Sequence, residues 1–265
     1  MSTILIGTSG YSYTEWVGPV YPKGTKAESY LDYYNTLFPT VELNFSYYRM
    51  PKADQLQAMH AKSKSLLFSI KAHESLTHTI DTAQWRTAAM TFRQAITPLL
   101  EAEVLKAVLL QFPSSFHYEP DRRRYLDALL RFLPDLPLAI EFRNGQWYNN
   151  RTLEALRSRQ VTLVALDLPA MQSSPPMMDV ITAPLAYIRL HGRNEKSWWG
   201  SDAASRYDYL YSEKELVAIV ERIWGLATNS RVVLVYFNNH RRGQAVQNAL
   251  SLQKLILAKK ARNEK

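Results

Sequence analysis

The sequence of 265 residues contains no cysteine. Disulfide bonds, zinc–thiolate centres, iron–sulfur clusters and cysteine nucleophiles are therefore excluded. Long apolar runs are missing as well, since no stretch approaches the roughly 20 residues that a membrane span needs. The N-terminus also lacks the basic and apolar segments of a signal peptide. We therefore expect a cytoplasmic protein that has no membrane partner.

Glycine is scarce, at 9 residues, and no glycine-rich phosphate loop is formed. The turn after the first apolar run reads Gly7-Thr8-Ser9-Gly10-Tyr11. It lacks the G-x-G-x-x-G spacing of dinucleotide-binding folds, and no P-loop pattern occurs elsewhere. The sequence thus contains no motif for an organic cofactor, and the cofactor is left unknown.

The chain carries a formal net charge of +8, with 32 basic and 24 acidic residues. Such a balance favours anionic partners, either nucleic acid or small phosphate- and carboxylate-bearing molecules. Part of the charge is local, at Arg122–Arg124, at Arg241–Arg242 and in a basic C-terminal tail from about Lys259. Charge runs of this kind more often form solvated helix faces and a frayed terminus than a binding surface, and we favour that interpretation of them.

Eight short, mostly aliphatic runs recur along the chain and are typical of strands buried on both faces. They are Ile4–Ile6, Val41–Leu43, Leu67–Ile70, Ala107–Leu110, Leu138–Ile140, Thr162–Leu166, Ala186–Leu190 and Val232–Phe237. Helical patterns separate most of them. These are Glu28–Leu37, Lys52–Lys62, Gln84–Glu103 with Pro98 as a kink or break, Asp121–Phe132, Asn150–Arg159, Ser212–Ala227 with a capping box, and Gly243–Ala258.

Alternation of strands and helices predicts an α/β fold of parallel strands joined by right-handed crossovers. Eight units in about 250 residues favour a single (β/α)₈ barrel of the TIM type, a single domain covering residues 1–265. An open doubly wound sheet is the structural alternative. Two segments depart from the repeat. The region 167–184 after the sixth strand predicts an irregular loop containing Ser173. The region 192–211 after the seventh predicts a long aromatic loop with Trp198 and Trp199.

The predicted strand ends are polar, and in such barrels the active site lies at the C-terminal ends of the strands. Side chains alternate along a strand with a period of two. Four pairs therefore share a face: Glu42 with Asn44, Ser69 with Lys71, Glu141 with Arg143, and Arg189 with His191. The intervening Leu43, Ile70, Phe142 and Leu190 suit the outer face, against the helices. The pattern predicts a mouth of mixed charge.

We assign Glu141 first and Glu42 second as general acid or base, since a buried carboxyl group can have its pKa shifted for that role. His191 would shuttle a proton, or would ligate a divalent metal with Glu42, Glu141 and Asp167. No tight metal-binding spacing is present. The remaining strand-end residues are predicted to bind an anionic substrate: Lys71, Arg143, Arg189, Asn44, Arg49, Tyr48, Gln111, Trp147, Asn238, Tyr11 and His78.

Several of these stretches, in the same order, resemble the YecE-like family, a domain of unknown function. They are Gly7–Tyr13 with Trp16, Val41–Asn44 followed by Ser46–Arg49 and Pro51, Lys71-Ala72 with Thr77-His78, Gln111–Pro113, Ile140–Arg143 with Trp147, Arg189–Gly192 and Tyr236–Asn239. The resemblance runs from about Ile4 to Ala249. It implies a TIM-type barrel, and it implies no reaction, substrate or cofactor.

Three functions stay open on the sequence. The first is an enzyme, such as a hydrolase, lyase or isomerase, that acts on an anionic substrate by acid–base chemistry. The second is a nucleic-acid-binding or nucleic-acid-processing barrel, in which loop aromatics stack on bases. The third is a ligand- or partner-binding module without turnover. A further alternative is that the charged strand ends pair only with one another and close the mouth to solvent. The oligomeric state is left open.

Overall fold

The fold is that of a computed structural model in which residues 2–169, 174–195 and 206–263 are described. Ser173, Trp198, Trp199 and the end of the basic tail lie outside the described residues. The described strands are β1 (Thr3–Thr8), β2 (Thr40–Leu43), β3 (Leu67–Lys71), β4 (Leu105–Phe112), β5 (Leu138–Phe142), β6 (Thr162–Leu163), β7 (Ala165–Asp167), β8 (Leu185–Leu190) and β9 (Val232–Phe237). The described α-helices are α1 (Tyr30–Leu37), α2 (Phe45–Tyr48), α3 (Ala53–Lys62), α4 (Trp85–Glu101), α5 (Pro120–Phe132), α6 (Asn150–Ser158), α7 (Glu213–Ala227) and α8 (Gln244–Asn263).

Every strand pairs in parallel with its neighbours, in two sheets of order β1-β9-β8-β7 and β2-β3-β4-β5-β6. The predicted α/β class with parallel strands is confirmed. A single closed barrel is not shown, because the strands are divided between these two sheets. The predicted sixth strand is divided at Val164: the chain pairs with β5 up to Leu163 and with β8 from Ala165 onward.

The two faces of the strands bury different side chains. The large apolar residues that alternate with the polar strand-end residues, Leu43, Ile70, Phe142 and Leu190, are at most 1% exposed. They belong to the large apolar cluster that the helices also join, as their spacing predicts. A separate, smaller cluster covers the opposite face of the strands. It consists of Ala107, Leu109, Ala139, Val164, Leu166, Tyr187, Leu234 and Tyr236.

Most predicted helices are present with shifts of one to a few residues at their ends. The Ser212–Glu215 capping box is confirmed at the start of α7. Helix α4 is not broken at Pro98, which lies in its last turn. Helix α8 runs on to Asn263, so Lys259 and Lys260 lie on a helix rather than in a tail. No helix in the described ranges is long and apolar enough to cross a bilayer.

Candidate functional site

A buried ion network lies where β2, β5 and β8 end. Arg189 of β8 donates from Nη2 to Oε1 of Glu42 at 2.7 Å and from Nη1 to Oε2 of Glu141 at 2.5 Å. The Tyr187 hydroxyl donates to the second oxygen of Glu42 at 2.5 Å. Both carboxylates are 0% exposed and Arg189 is 2% exposed. One guanidinium therefore bridges two carboxylates, and both of them come from the other sheet.

Arg143 and His191 extend this network toward the ends of the strands. Arg143 donates from Nε to Glu141, and its Nη2 lies 3.1 Å from Nε2 of His191. Nδ1 of His191 lies 2.9 Å from the amide nitrogen of Asn238. Burial, together with the positive charge of Arg143, lowers the pKa of His191 to about 3. The imidazole is therefore neutral at pH 7 and accepts a hydrogen bond from Asn238.

The state of Glu141 follows from these contacts. Burial alone would raise its pKa, but Arg143 and Arg189 hold the pKa well below its usual range. The carboxyl group is therefore ionised at neutral pH, and it is a weak base there. This arrangement fits an electrostatic role, in which Glu141 fixes the positions of the two guanidinium groups, better than the general acid–base role predicted from the sequence.

Lys71, at the end of β3, has a different environment. Its ammonium nitrogen lies 2.8 Å from Oε1 of Gln111 and 3.9 Å from the centre of the Tyr47 ring. No carboxylate of the described residues lies within ion-pair distance of it. Burial, followed by repulsion from Arg189, lowers the pKa of Lys71 to about 7, although Glu141 and Glu42 oppose the shift. The pKa of this amine thus lies near neutral pH, far below the ordinary lysine value.

A cavity of about 210 Å³ lies at these strand ends, and Gln111, which accepts the hydrogen bond from Lys71, forms part of its wall. Its walls include His78, Gln111, Arg143 and Tyr207. The ring of His78 packs edge-on to Tyr47, with centroids 4.9 Å apart. Burial, together with the charges of Lys71 and Arg143, lowers the pKa of His78 to about 4. The strand-end cavity thus has cationic, amide and aromatic walls, and its histidine is neutral at pH 7.

Some buried polar atoms around the mouth have no hydrogen-bond partner among the described residues. They include Ser9 Oγ, Asn44 Oδ1 and Arg189 Nε. Ser9 pairs with Glu42 through an isolated bridge between β1 and β2, so the first two lie close to the network. A buried polar atom without a partner costs about 1–3 kcal/mol, so these atoms offer contacts to a ligand or to water.

The structure thus brings together most of the predicted site residues. Glu42, Glu141, Arg143, Arg189, His191 and Asn238 form the network, and Lys71, His78 and Gln111 lie next to it. Tyr48 is 78% exposed and Arg49 is also exposed, both beyond β2 on the rim. Mutual pairing of the strand-end charges is seen for Glu42, Glu141 and Arg189. Lys71 instead contacts the Gln111 amide and the Tyr47 ring, and among the described residues it has no carboxylate partner.

Asp167 is a correction to the predicted mouth. Its carboxylate receives hydrogen bonds from Arg193 at 2.7 and 2.8 Å, from Arg222 of α7 at 2.9 Å and from Tyr211 at 2.9 Å. Its neighbour Leu166 belongs to the smaller apolar cluster. Because successive side chains of a strand point to opposite faces, Asp167 faces the helices. It therefore pairs with Arg193 and Arg222, and among the described residues it forms no metal site with Glu42, Glu141 and His191.

Trp147 and Tyr11 also lie outside the cavity wall. Trp147 is 3% exposed, stacks on Phe142 at 4.5 Å and donates its indole N–H to the Phe116 carbonyl at 2.7 Å. Tyr11 packs against Tyr34 of α1, with ring centroids 6.0 Å apart. Aromatic residues after a strand fill the seams between helices and sheet as well as pockets, and their position in a loop does not distinguish these two uses.

Two tyrosines of the inner face were missed by sequence reasoning. Tyr187 binds Glu42, and the Tyr236 hydroxyl lies 2.6 Å from Thr40 Oγ1 and 2.9 Å from Ser69 Oγ. The signal was present, because Tyr187 stands two residues before Arg189 and Tyr236 two residues before Asn238. The alternation of side chains that identified the strand-end residues also predicts that the residue two positions earlier in each strand faces the same side.

Metal ligands and other cavities do not change this picture. Within the part of the chain that is described, no three His, Asp or Glu side chains are grouped to hold a metal ion. Larger grooves of about 490 Å³ between α5 and α6 and about 720 Å³ between α7 and α8 lie on the outer surface. Neither groove includes the strand-end network, so cavity size alone does not locate the site.

Comparison with known proteins places the chain in a family. The family model of DUF72, which is described as a protein of unknown function, matches residues 5–265. The UPF0759 protein YunF of Bacillus subtilis is 27% identical over 271 residues, which cover 96% of this chain and 94% of YunF. A solved DUF72 protein from Thermotoga maritima is 36% identical with a TM-score of 0.89, covering 96% of this chain and 99% of that one. Another from Enterococcus faecalis is 26% identical with a TM-score of 0.85, covering 96% of each chain. The resemblance to the YecE-like family is thereby confirmed, and the chain belongs to the DUF72 family of proteins of unknown function.

Proposed function

We propose that the protein is an enzyme that binds a small phosphate- or carboxylate-bearing substrate at the mouth of one eight-stranded barrel, with Lys71 as the group that transfers protons. The observation that carries the proposal is the Lys71 amine, which is hydrogen-bonded to Gln111 beside a cavity and whose pKa is about 7. A group whose pKa lies near the working pH is an efficient general acid or base.

Two links between the sheets support a single barrel domain. At one junction Ser9 pairs with Glu42, and the Gly10 N–H donates to the Glu42 carbonyl at 2.7 Å. At the other, β6 and β7 follow each other with only Val164 between them, and the Val164 N–H donates to the Ile140 carbonyl at 2.8 Å. Both links join neighbouring strands in the order that a closed ring requires.

An anionic substrate is favoured by the charge of the cavity. Arg143 brings positive charge to its wall, Lys71 is hydrogen-bonded to the wall residue Gln111, and Glu141 is already engaged by Arg143 and Arg189. Guanidinium groups bind carboxylates and phosphates through paired hydrogen bonds. A volume of about 210 Å³ suits a molecule of a few carbon atoms.

Anion binding is tested by thermal unfolding at low ionic strength with inorganic phosphate, pyruvate and citrate as probes. A ligand at 100 times its dissociation constant stabilises the folded protein by about 2.7 kcal/mol. We expect at least one probe to raise the Tm of the wild type and of Arg151→Gln, and to raise it much less for Arg143→Gln. Arg151 is the matched control because it is an exposed arginine of the α5–α6 groove.

An equal shift for wild type and Arg143→Gln would contradict anion binding at the mouth. Two further measurements separate the enzyme from a ligand-binding module and from a nucleic-acid-binding protein. Turnover of a bound probe or its analogues favours the enzyme, and binding without conversion favours a ligand-binding module. Association with single-stranded DNA or RNA that falls steeply with salt would favour the nucleic-acid alternative.

A further inference from the structure

We propose that Lys71 is also a nucleophile, which forms an imine with the carbonyl group of a substrate that carries a carboxylate or phosphate nearby. The substrate class is thus a small oxo acid or a phosphorylated aldehyde or ketone. The inference deepens the proposed function and rests on it, since Arg143 would bind the anionic group while Lys71 attacks the carbonyl carbon.

The contacts of Lys71 suit an amine that reacts rather than one that forms an ion pair. Its nitrogen donates to Gln111 Oε1 at 2.8 Å, and a neutral amide oxygen accepts one N–H without the negative charge that would favour a third proton on the nitrogen. Glu42 and Glu141 are held by Arg189 and do not reach it. The lone pair of the uncharged amine is therefore available for attack.

The position of the amine relative to the cavity supports the same conclusion. Gln111, its hydrogen-bond acceptor, lines the 210 Å³ cavity together with His78 and Arg143. The Tyr47 ring lies 3.9 Å below the nitrogen. An aromatic face stabilises a nearby cation, and this includes the iminium ion that the reaction produces. An anion-binding arginine thus lies in the cavity wall, and the nucleophile with its aromatic neighbour is hydrogen-bonded to that wall through Gln111.

The step balances without an oxidant or reductant. The Lys71 lone pair forms a C–N bond with the carbonyl carbon, and the C–O π pair moves to oxygen. One proton passes from nitrogen to that oxygen, which gives a neutral carbinolamine. A second proton, from solvent in the cavity, converts the hydroxyl into water, the C–O bond breaks, and an iminium ion remains. The iminium ion withdraws electrons from the adjacent carbon, which allows proton removal or bond cleavage there.

Reductive trapping tests the inference. The full-length protein is incubated at pH 7 with pyruvate and sodium cyanoborohydride, and labelled lysines are identified by peptide mass spectrometry. Lys52, an exposed lysine after α2, serves as the internal comparison. With a pKa of about 7 for Lys71 and an ordinary lysine pKa of about 10.4, the uncharged fraction differs by about a thousandfold, so we expect labelling of Lys71 at least about tenfold faster.

Two comparisons make the result decisive. Acetone, which has the carbonyl group but no anion, should label Lys71 much more slowly than pyruvate, and Arg143→Gln should remove that difference. Labelling of Lys71 no faster than Lys52 would overturn the inference without any variant having to fold. If an anion still raises the Tm through Arg143, the proposed function stands although the imine is overturned. If neither effect is seen, both are overturned.

Discussion

Replacing Arg189 with methionine tests the buried network most sharply. The change removes the charge shared by Glu42 and Glu141, and the methionine stem keeps much of the volume. Both carboxylates are 0% exposed and cannot turn to solvent without opening the strand ends. Arg143 still pairs with Glu141, whereas among the described side chains Glu42 keeps the Tyr187 hydroxyl alone.

The expected loss follows from that burial. Removal of one partner of a buried ion pair costs about 3–5 kcal/mol, because an uncompensated charge is left inside. In a chain of this size each kcal/mol shifts the Tm by about 2–4 °C, so a fall of about 10 °C is expected. Urea unfolding monitored by circular dichroism measures the free-energy change at 25 °C. Arg93→Met is the matched control, since its ion pair with Asp135 is exposed and should contribute less than about 1 kcal/mol.

The loss should depend on pH. In the wild type the pKa of Glu141 is depressed, so its contribution is present above the unfolded pKa of about 4.3 and is lost as the pH falls toward the folded value. In the variant a buried carboxylate without its cation binds a proton more readily. The second effect narrows the gap between variant and wild type as the pH falls from 8 to 4, and the first narrows it further below about pH 4.3. Adding Glu42→Gln should restore part of the stability at pH 8. A variant within 1 kcal/mol of wild type at pH 8, or a gap that widens in acid, would refute the reasoning.

Other changes test the rest of the structure by urea unfolding. Tyr236→Phe removes the hydroxyl that two buried side chains contact, and should cost about 1–3 kcal/mol; no loss would contradict those contacts. Asp167→Asn should cost about 2–4 kcal/mol because two arginines lose their carboxylate, while Lys71 labelling by pyruvate stays unchanged. Gly10→Ala should cost about 1–2 kcal/mol, since Gly10 has φ +83° and an added Cβ would lie 2.5 Å from the Tyr13 hydroxyl; a neutral effect would refute this turn geometry.

The sequence predicted the strand-end network because a single rule, alternation along a strand, acts within a few residues. Glu42, Glu141, Arg189 and His191 converge because each stands on the inner parity of its strand and near its end. The same rule would have turned Asp167 outward. The prediction for Asp167 used only its position near a strand end. The alternation of side chains would have been counted along the predicted sixth strand, and that strand is divided at Val164.

Other properties depend on distances between residues far apart in the chain, which no local pattern encodes. Trp147 stacks on Phe142 and Phe116 because of how the loop after β5 folds back, and a loop aromatic carries no mark of that. The proposed exchange of roles between Glu141 and Lys71 has the same origin. Glu141 has two arginines beside it, whereas Lys71 has an amide, and only the fold determines which strand ends meet.

The titration of the Lys71 amine tests the central claim most directly. Competitive acetylation with trace acetic anhydride from pH 5 to 11, resolved by peptide mass spectrometry, gives the ionisation midpoint of Lys71 and of exposed Lys52 in the same sample. The account predicts a midpoint of about 7 for Lys71. A midpoint for Lys71 near the ordinary lysine value of about 10.4 would show a protonated amine at neutral pH and would contradict the account.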